Sequence, residues 1–209
     1  MKTTMKFIFA ALGLTIAVFS PFITVAETSV FSGQGAAVYA SSSGVINEVP
    51  YWLHLSVFEN ASKSKSVKGG SSGAYINGYI SDGGYFYYFW GETTAIEFNA
   101  SKAGSFPEKV TASGSIPITG FYWGEMSPTT DFSDTVTFNI NAEALIDQAY
   151  SSSGKDHYDY GSFKQNVSWD EKNAPASLSE SFITGSFFSK IPSDNTISQS
   201  KGHTVEIIK

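Results

Sequence analysis

The chain has 209 residues, no cysteine and a net charge of −6, and all 13 of its basic residues are lysine. Without cysteine there are no disulfides, thiol nucleophiles or thiolate zinc sites. Without arginine or a basic excess, a nucleic-acid partner is not expected.

At the start, Lys2 and Lys6 precede an apolar run over residues 7–19, followed by Ser20, Pro21 and the small-residue end "TVA" at 24–26. A charged start, a short apolar core and a small residue at the cut predict a secretory signal peptide over residues 1–26. A membrane-spanning helix needs about 20 apolar residues, and Pro21 interrupts the run short of that. No later stretch approaches it, so no transmembrane helix is expected and the protein is placed outside the cytoplasm, periplasmic or extracellular. Residues 27–209 then form one domain carrying 11 lysines against 19 acidic residues.

That domain is rich in Tyr, Phe, Val, Ile and Thr, with turn clusters of Ser, Gly, Asn and Asp between the apolar runs. The pattern predicts strands over residues 30–39, 51–59, 74–81, 85–90, 95–99, 110–118, 135–141, 158–169, 178–188 and 204–208. About ten strands in one domain imply an all-β fold, an antiparallel β-sandwich.

In "YWLHLSVFE", Tyr51, Leu53, Leu55 and Val57 alternate with Trp52, His54, Ser56 and Phe58, so one face is apolar and the other mixed. The lysines of "NASKSKSVKGG" (Lys63, Lys65, Lys68) read as a solvated hairpin loop. Next comes "SDGGYFYYFWGE", with Tyr85, Tyr87 and Phe89 on one face and Phe86, Tyr88 and Trp90 on the other. A sandwich strand has a single core face, so the second face is covered by a loop or terminus, faces lipid, or is left open, either as a stabilising cross-strand ladder or as a flat platform for a ligand.

"YYFWGETTAIEFNA" is echoed by "GFYWGEMSPTTDFSDTVTFNIN", which places Trp90-Gly91-Glu92 and Trp123-Gly124-Glu125 in similar hairpins. Gly91 and Gly124 are expected at bulges or positive-φ corners that bring both Trp-Gly-Glu turns to one edge. Residues 141–150, "NAEALIDQAY", space Ala142, Leu145, Ile146 and Ala149 as one face of a short helix.

Glu92 and Glu125, each beside a tryptophan, are the pair with a matched setting for acid catalysis of glycoside cleavage. Exposed loop carboxylates are the plainer reading. His54, His157 and His203 lack the spacing of a metal site, and no metal or cofactor is expected. Asp131 and Asp134, Asp156 and Asp159, and Asp170 and Glu171 offer oxygen ligands for calcium, though acidic turns explain them as well.

These features lead to a secreted, non-enzymatic binding module that recognises a glycan or a cell-surface protein. Its candidate ligand-binding residues are Trp90, Trp123, Tyr85, Tyr87 and Tyr122. The alternatives are a glycan-cleaving hydrolase using Glu92 and Glu125, a structural component of an extracellular assembly built by edge-strand pairing, and an outer-membrane β-barrel.

Overall fold

The structure, a computed structural model, describes residues 28–46, 48–64, 68–82, 85–101, 106–122, 132–161, 163–186, 189–190 and 194–208. The predicted signal peptide and the second Trp-Gly-Glu at 123–125 lie outside the described residues. The strands are β1 Thr28–Ile46, β2 Val49–Lys63, β3 Lys68–Asp82, β4 Tyr85–Thr93, β5 Ile96–Ala100, β6 Lys109–Tyr122, β7 Phe132–Ala144, β8 Tyr150–Asp159, β9 Phe163–Leu178, β10 Phe182–Thr184, β11 Ser189–Lys190 and β12 Asp194–Ile208. Among the described residues no helix is long and apolar enough to cross a membrane.

The all-β, antiparallel expectation holds, but the layering differs. A sandwich has two separately hydrogen-bonded sheets, whereas these strands form one sheet in the order β11-β10-β7-β6-β4-β3-β2-β1-β12-β9-β8, with β5 on β6. Hydrogen bonding carries on around the molecule because β12 bridges β1 and β9, while β7 pairs with both β6 and β9. The β7–β9 seam joins Ala142, Glu143 and Ala144 to Leu178, Ser177 and Ala176, so the sheet's arms meet at that end. Two strands are interrupted: β4 and β5 lie along one edge of β6, and β9 and β10 along one edge of β7. Counting each interrupted strand once gives ten strands from twelve segments.

The core sits on a single face of this curled sheet. Strict alternation sends Val38 and Ala40, Leu53, Leu55 and Val57, Ala74 and Ile76, Phe89, Ile116 and Ile118, and Val136, Phe138 and Ile140 inward, all buried. Each of the larger side chains contributes about 1.5–3 kcal/mol by leaving water. Buried Tyr51 keeps its hydroxyl satisfied by Ser42 Oγ at 3.2 Å, as an enclosed phenol requires.

The core ends where the inward positions turn polar: Val57 is followed by Glu59, Ala74 is preceded by Ser72, and Ala174 is preceded by Lys172. Beyond that line the described parts of β3, β2, β1, β9 and β8 form a wing of sheet with no buried side chain. Lys63 and Lys68 are exposed as expected, but they face one another as the last residue of β2 and the first of β3 and not in a loop, and Lys65 lies outside the described residues.

Three local expectations are corrected. Residues 141–150 are not a helix: β7 continues to Ala144, and only a 3-10 turn, Ile146–Gln148, follows. The two-residue period of Ile140, Ala142 and Ala144, all buried, outweighs the helical spacing, because residues 141–144 are claimed by β6 and β9. Residues 158–169 are not one strand: they hold the end of β8, a short turn and the first part of β9, and at the turn Asp159 accepts the Gly161 N–H at 2.9 Å and pairs with Lys164 at 2.6 Å. Residues 178–188 likewise span the end of β9, the short β10 and the residues beyond it.

Candidate functional site

Along the described part of the aromatic run, residues 86–90, the side chains divide between two environments. Phe89 points inward and is buried, whereas Phe86, Tyr88 and Trp90 are exposed on the outer face. The outer face is the open one.

Register turns this into a surface. Trp52 of β2 faces Tyr79 of β3, Tyr79 faces Tyr88 of β4, and Tyr88 faces Phe121 of β6. This makes one aromatic row across four adjacent strands, with ring centroids 6.1 Å apart for Trp52–Tyr79, 6.2 Å for Tyr79–Tyr88 and 6.4 Å for Tyr88–Phe121. Phe86 touches Tyr79 edge-on at 6.1 Å, and the row extends through His54 to Tyr39 at 6.4 and 6.0 Å. Two residues further along the strands lies a mixed row in which Thr119, Trp90, Asn77, His54 and Ser41 face one another in turn. Beyond it, Glu92 faces Tyr75 and Tyr75 faces Ser56.

The alternation of β2, β3 and β4 builds this patch, because each strand sends its apolar set inward and its aromatic or amide set outward. Gly78, on the inward face of β3, makes room beneath: a Cβ there would meet the Trp52 carbonyl and lie 2.5 Å from the Phe89 ring. Burial lowers the pKa of His54 from its ordinary value of 6.5, so its ring is neutral between Tyr39 and Trp52 at physiological pH. The Tyr75 phenol is raised, first by burial and second by the Glu92 carboxylate beside it.

The described members of the sequence-derived set do not all lie on this face. Trp90 does lie on it, 47% exposed, beside the aromatic row. Tyr87 and Tyr122 face each other on the inward side, half-buried, with centroids 5.9 Å apart. Tyr85 pairs with Asp82 through its backbone, its side chain lying outside the described set, as do Trp123 and Glu125. Glu92 is exposed on the outer face beside Tyr75.

Gly91 is not a corner. It lies within β4, buried and paired with Ile76 and Ile118, and a Cβ there would meet the Pro117 carbonyl and lie 2.9 Å from the Ile116 and Ile118 methyl groups. Its role is close packing against β6. Residues the sequence-derived set left out are Trp52, Tyr79, Tyr88 and Phe121. Their outward placement was readable from alternation, but their alignment in one row depends on strand register.

Two of the acidic residues, Asp134 and Asp159, have structural partners. Asp134 accepts the Thr135 N–H at 2.7 Å and both the N–H and hydroxyl of Ser186 at 2.7 and 2.9 Å, tying β7 to the end of β10. Asp170 and Glu171 point to opposite faces of β9, and Asp131 lies outside the described residues. Among the described residues no three His, Asp or Glu side chains gather as metal ligands.

No family model matches the chain, and no curated protein does. A solved structure of an acetoacetate decarboxylase-like enzyme from Sphingomonas wittichii RW1 is similar at 10% identity over 88% of this chain and 92% of that one, with a TM-score of 0.26. A likeness that slight carries no argument about fold or activity.

Proposed function

We propose that the outer face of β1, β2, β3, β4 and β6 is a binding surface for an extended glycan, presented outside the cytoplasm after removal of the signal peptide. The observation that carries this reading is the in-register row Trp52, Tyr79, Tyr88 and Phe121. Strands lie about 4.8 Å apart, so the row offers a rigid apolar strip roughly 14 Å long. Tyrosine and tryptophan provide such area at small entropic cost. Asn77, Ser41, Thr119 and Glu92 flank the strip with donors and acceptors of the kind that sugar hydroxyls require.

A stabilising ladder alone would need the rings but not the polar flank. An outer-membrane barrel would place its apolar band outside and polar groups within. Here the interior is filled by Leu, Ile, Val and Phe, and the outer face of β7 carries Thr135, Thr137 and Asn139.

Tryptophan fluorescence, titrated with a panel of polysaccharides, tests the proposal. A saturable change is expected with at least one glycan, and Tyr88→Ala is expected to weaken it about tenfold or more. No saturable change across the panel, or an unaltered affinity in Tyr88→Ala and Trp90→Phe together, would overturn the glycan reading and turn attention to a protein ligand.

A further inference from the structure

The β8 edge of the wing carries a second, independent feature. Among the described residues β8 pairs only with β9, it ends the strand order, and no side chain along it is buried. An open ten-residue edge of this kind is a template for another strand.

The sequence of β8 limits which strand fits. If β8 meets its own copy antiparallel about a two-fold axis, bonded and non-bonded pairs alternate, so symmetry requires the axis to fall where a residue faces itself. Placing the axis at Lys155 or Asp156 sets like charges together, and placing it at Ser153 leaves Tyr158 without a partner strand residue. With the axis at Gly154, Tyr150 faces Tyr158 of the copy, Ser151 faces His157, Ser152 faces Asp156 and Ser153 faces Lys155. No like charges oppose one another in that register. Tyr150 and Tyr158, 56% and 41% exposed, each gain a cross-strand aromatic partner.

Gly154 suits the axis for a further reason. Its β9 partner is Trp169, whose indole lies across it, with ring atoms 2.7–2.9 Å from where a Cβ would stand. In the paired arrangement the two indoles approach the axis from either side, over a strip kept flat by two glycines.

We propose that a second copy of this chain docks on β8 through this register, continuing the sheet from one wing into the other. Because the contact is isologous it closes as a dimer and does not propagate.

Two neighbouring lysine substitutions test the register. Ser153→Lys places lysine opposite Lys155 of the copy, and Ser152→Lys places it opposite Asp156. Within its own chain each new lysine lies beside a β9 carboxylate, Asp170 for position 153 and Glu171 for position 152, so folding is retained. By sedimentation equilibrium the unmodified protein is expected to show a monomer–dimer equilibrium. Ser153→Lys is expected to weaken it, and Ser152→Lys to tighten it, each by roughly two- to thirtyfold from two symmetric contacts. A monomer at every concentration reached, open-ended polymers, or shifts in the same direction for both lysines would overturn the proposal.

Discussion

His54 shows how a single residue can tie the aromatic face to solution conditions. Its ring lies between Tyr39 and Trp52, and burial lowers its pKa from 6.5. The unfolded chain therefore takes up a proton that the folded chain resists, and stability falls as pH drops from about 6.5 towards the lowered folded value, levelling out below it. Above that window the contribution is fully present. Urea unfolding of the protein and of His54→Gln, across pH 7.5 to 5 in steps of about one unit, checks this by the slope difference between them. An equal slope would place the pH dependence elsewhere. Gly91→Ala tests the close contact between β4 and β6. The added methyl would press on the Pro117 carbonyl, a backbone atom, and on two buried isoleucines, so a loss of about 1–3 kcal/mol is expected. A neutral result would return Gly91 to the flexible corner that the Trp-Gly-Glu echo implied. The sequence showed a glycine after a bulky residue; it could not show that the next strand passes within contact of it.

At the scale of elements, alternation was the readable signal. Residues 51–57 and 135–141 display their inward sets plainly, and those sets are the core. Where two periods competed, at residues 141–150, the result depended on neighbours that only the fold supplies. The β7–β9 seam is that neighbour, and it hinges on one small group of polar side chains. Buried Ser181 accepts the Asn141 N–H at 2.8 Å and donates to the Asn141 carbonyl at 3.3 Å, while the Ser179 N–H reaches the same carbonyl at 3.1 Å. These bonds fill the break between β9 and β10, where the edge of β7 opposite β6 would otherwise lack a partner. Ser181→Ala leaves the Asn141 N–H without its acceptor and is expected to cost about 1–3 kcal/mol. Faster hydrogen exchange at Asn141 and Ser179, with exchange in β2 unchanged, would locate the loss at the seam. A uniform increase throughout the sheet would mean that the seam and the core open as one unit.

For the whole molecule, composition announced an all-β chain but not its single sheet, because strand order is set by which edges meet. A sandwich and a curled sheet draw on the same alternating strands, and β12 decides between them by joining β1 to β9. The aromatic row was hidden for the same reason: Trp52, Tyr79, Tyr88 and Phe121 come from four separate segments and align only once register is fixed. The change of inward residues from Val57 to Glu59 and from Ala174 to Lys172 divides the sheet into a packed half and a bare half. Sheet hydrogen bonds in the packed half are shielded by buried apolar side chains, while those in the wing are not, so the two halves should open with different free energies. Amide exchange is expected to show residues 53–57 protected to near the global unfolding free energy and residues 150–158 exchanging through a cheaper local opening. If β8 docks on its own copy, protection in residues 150–158 should rise with protein concentration while that of residues 53–57 stays fixed. Concentration-independent exchange in both segments would leave the wing as bare sheet and remove the dimer.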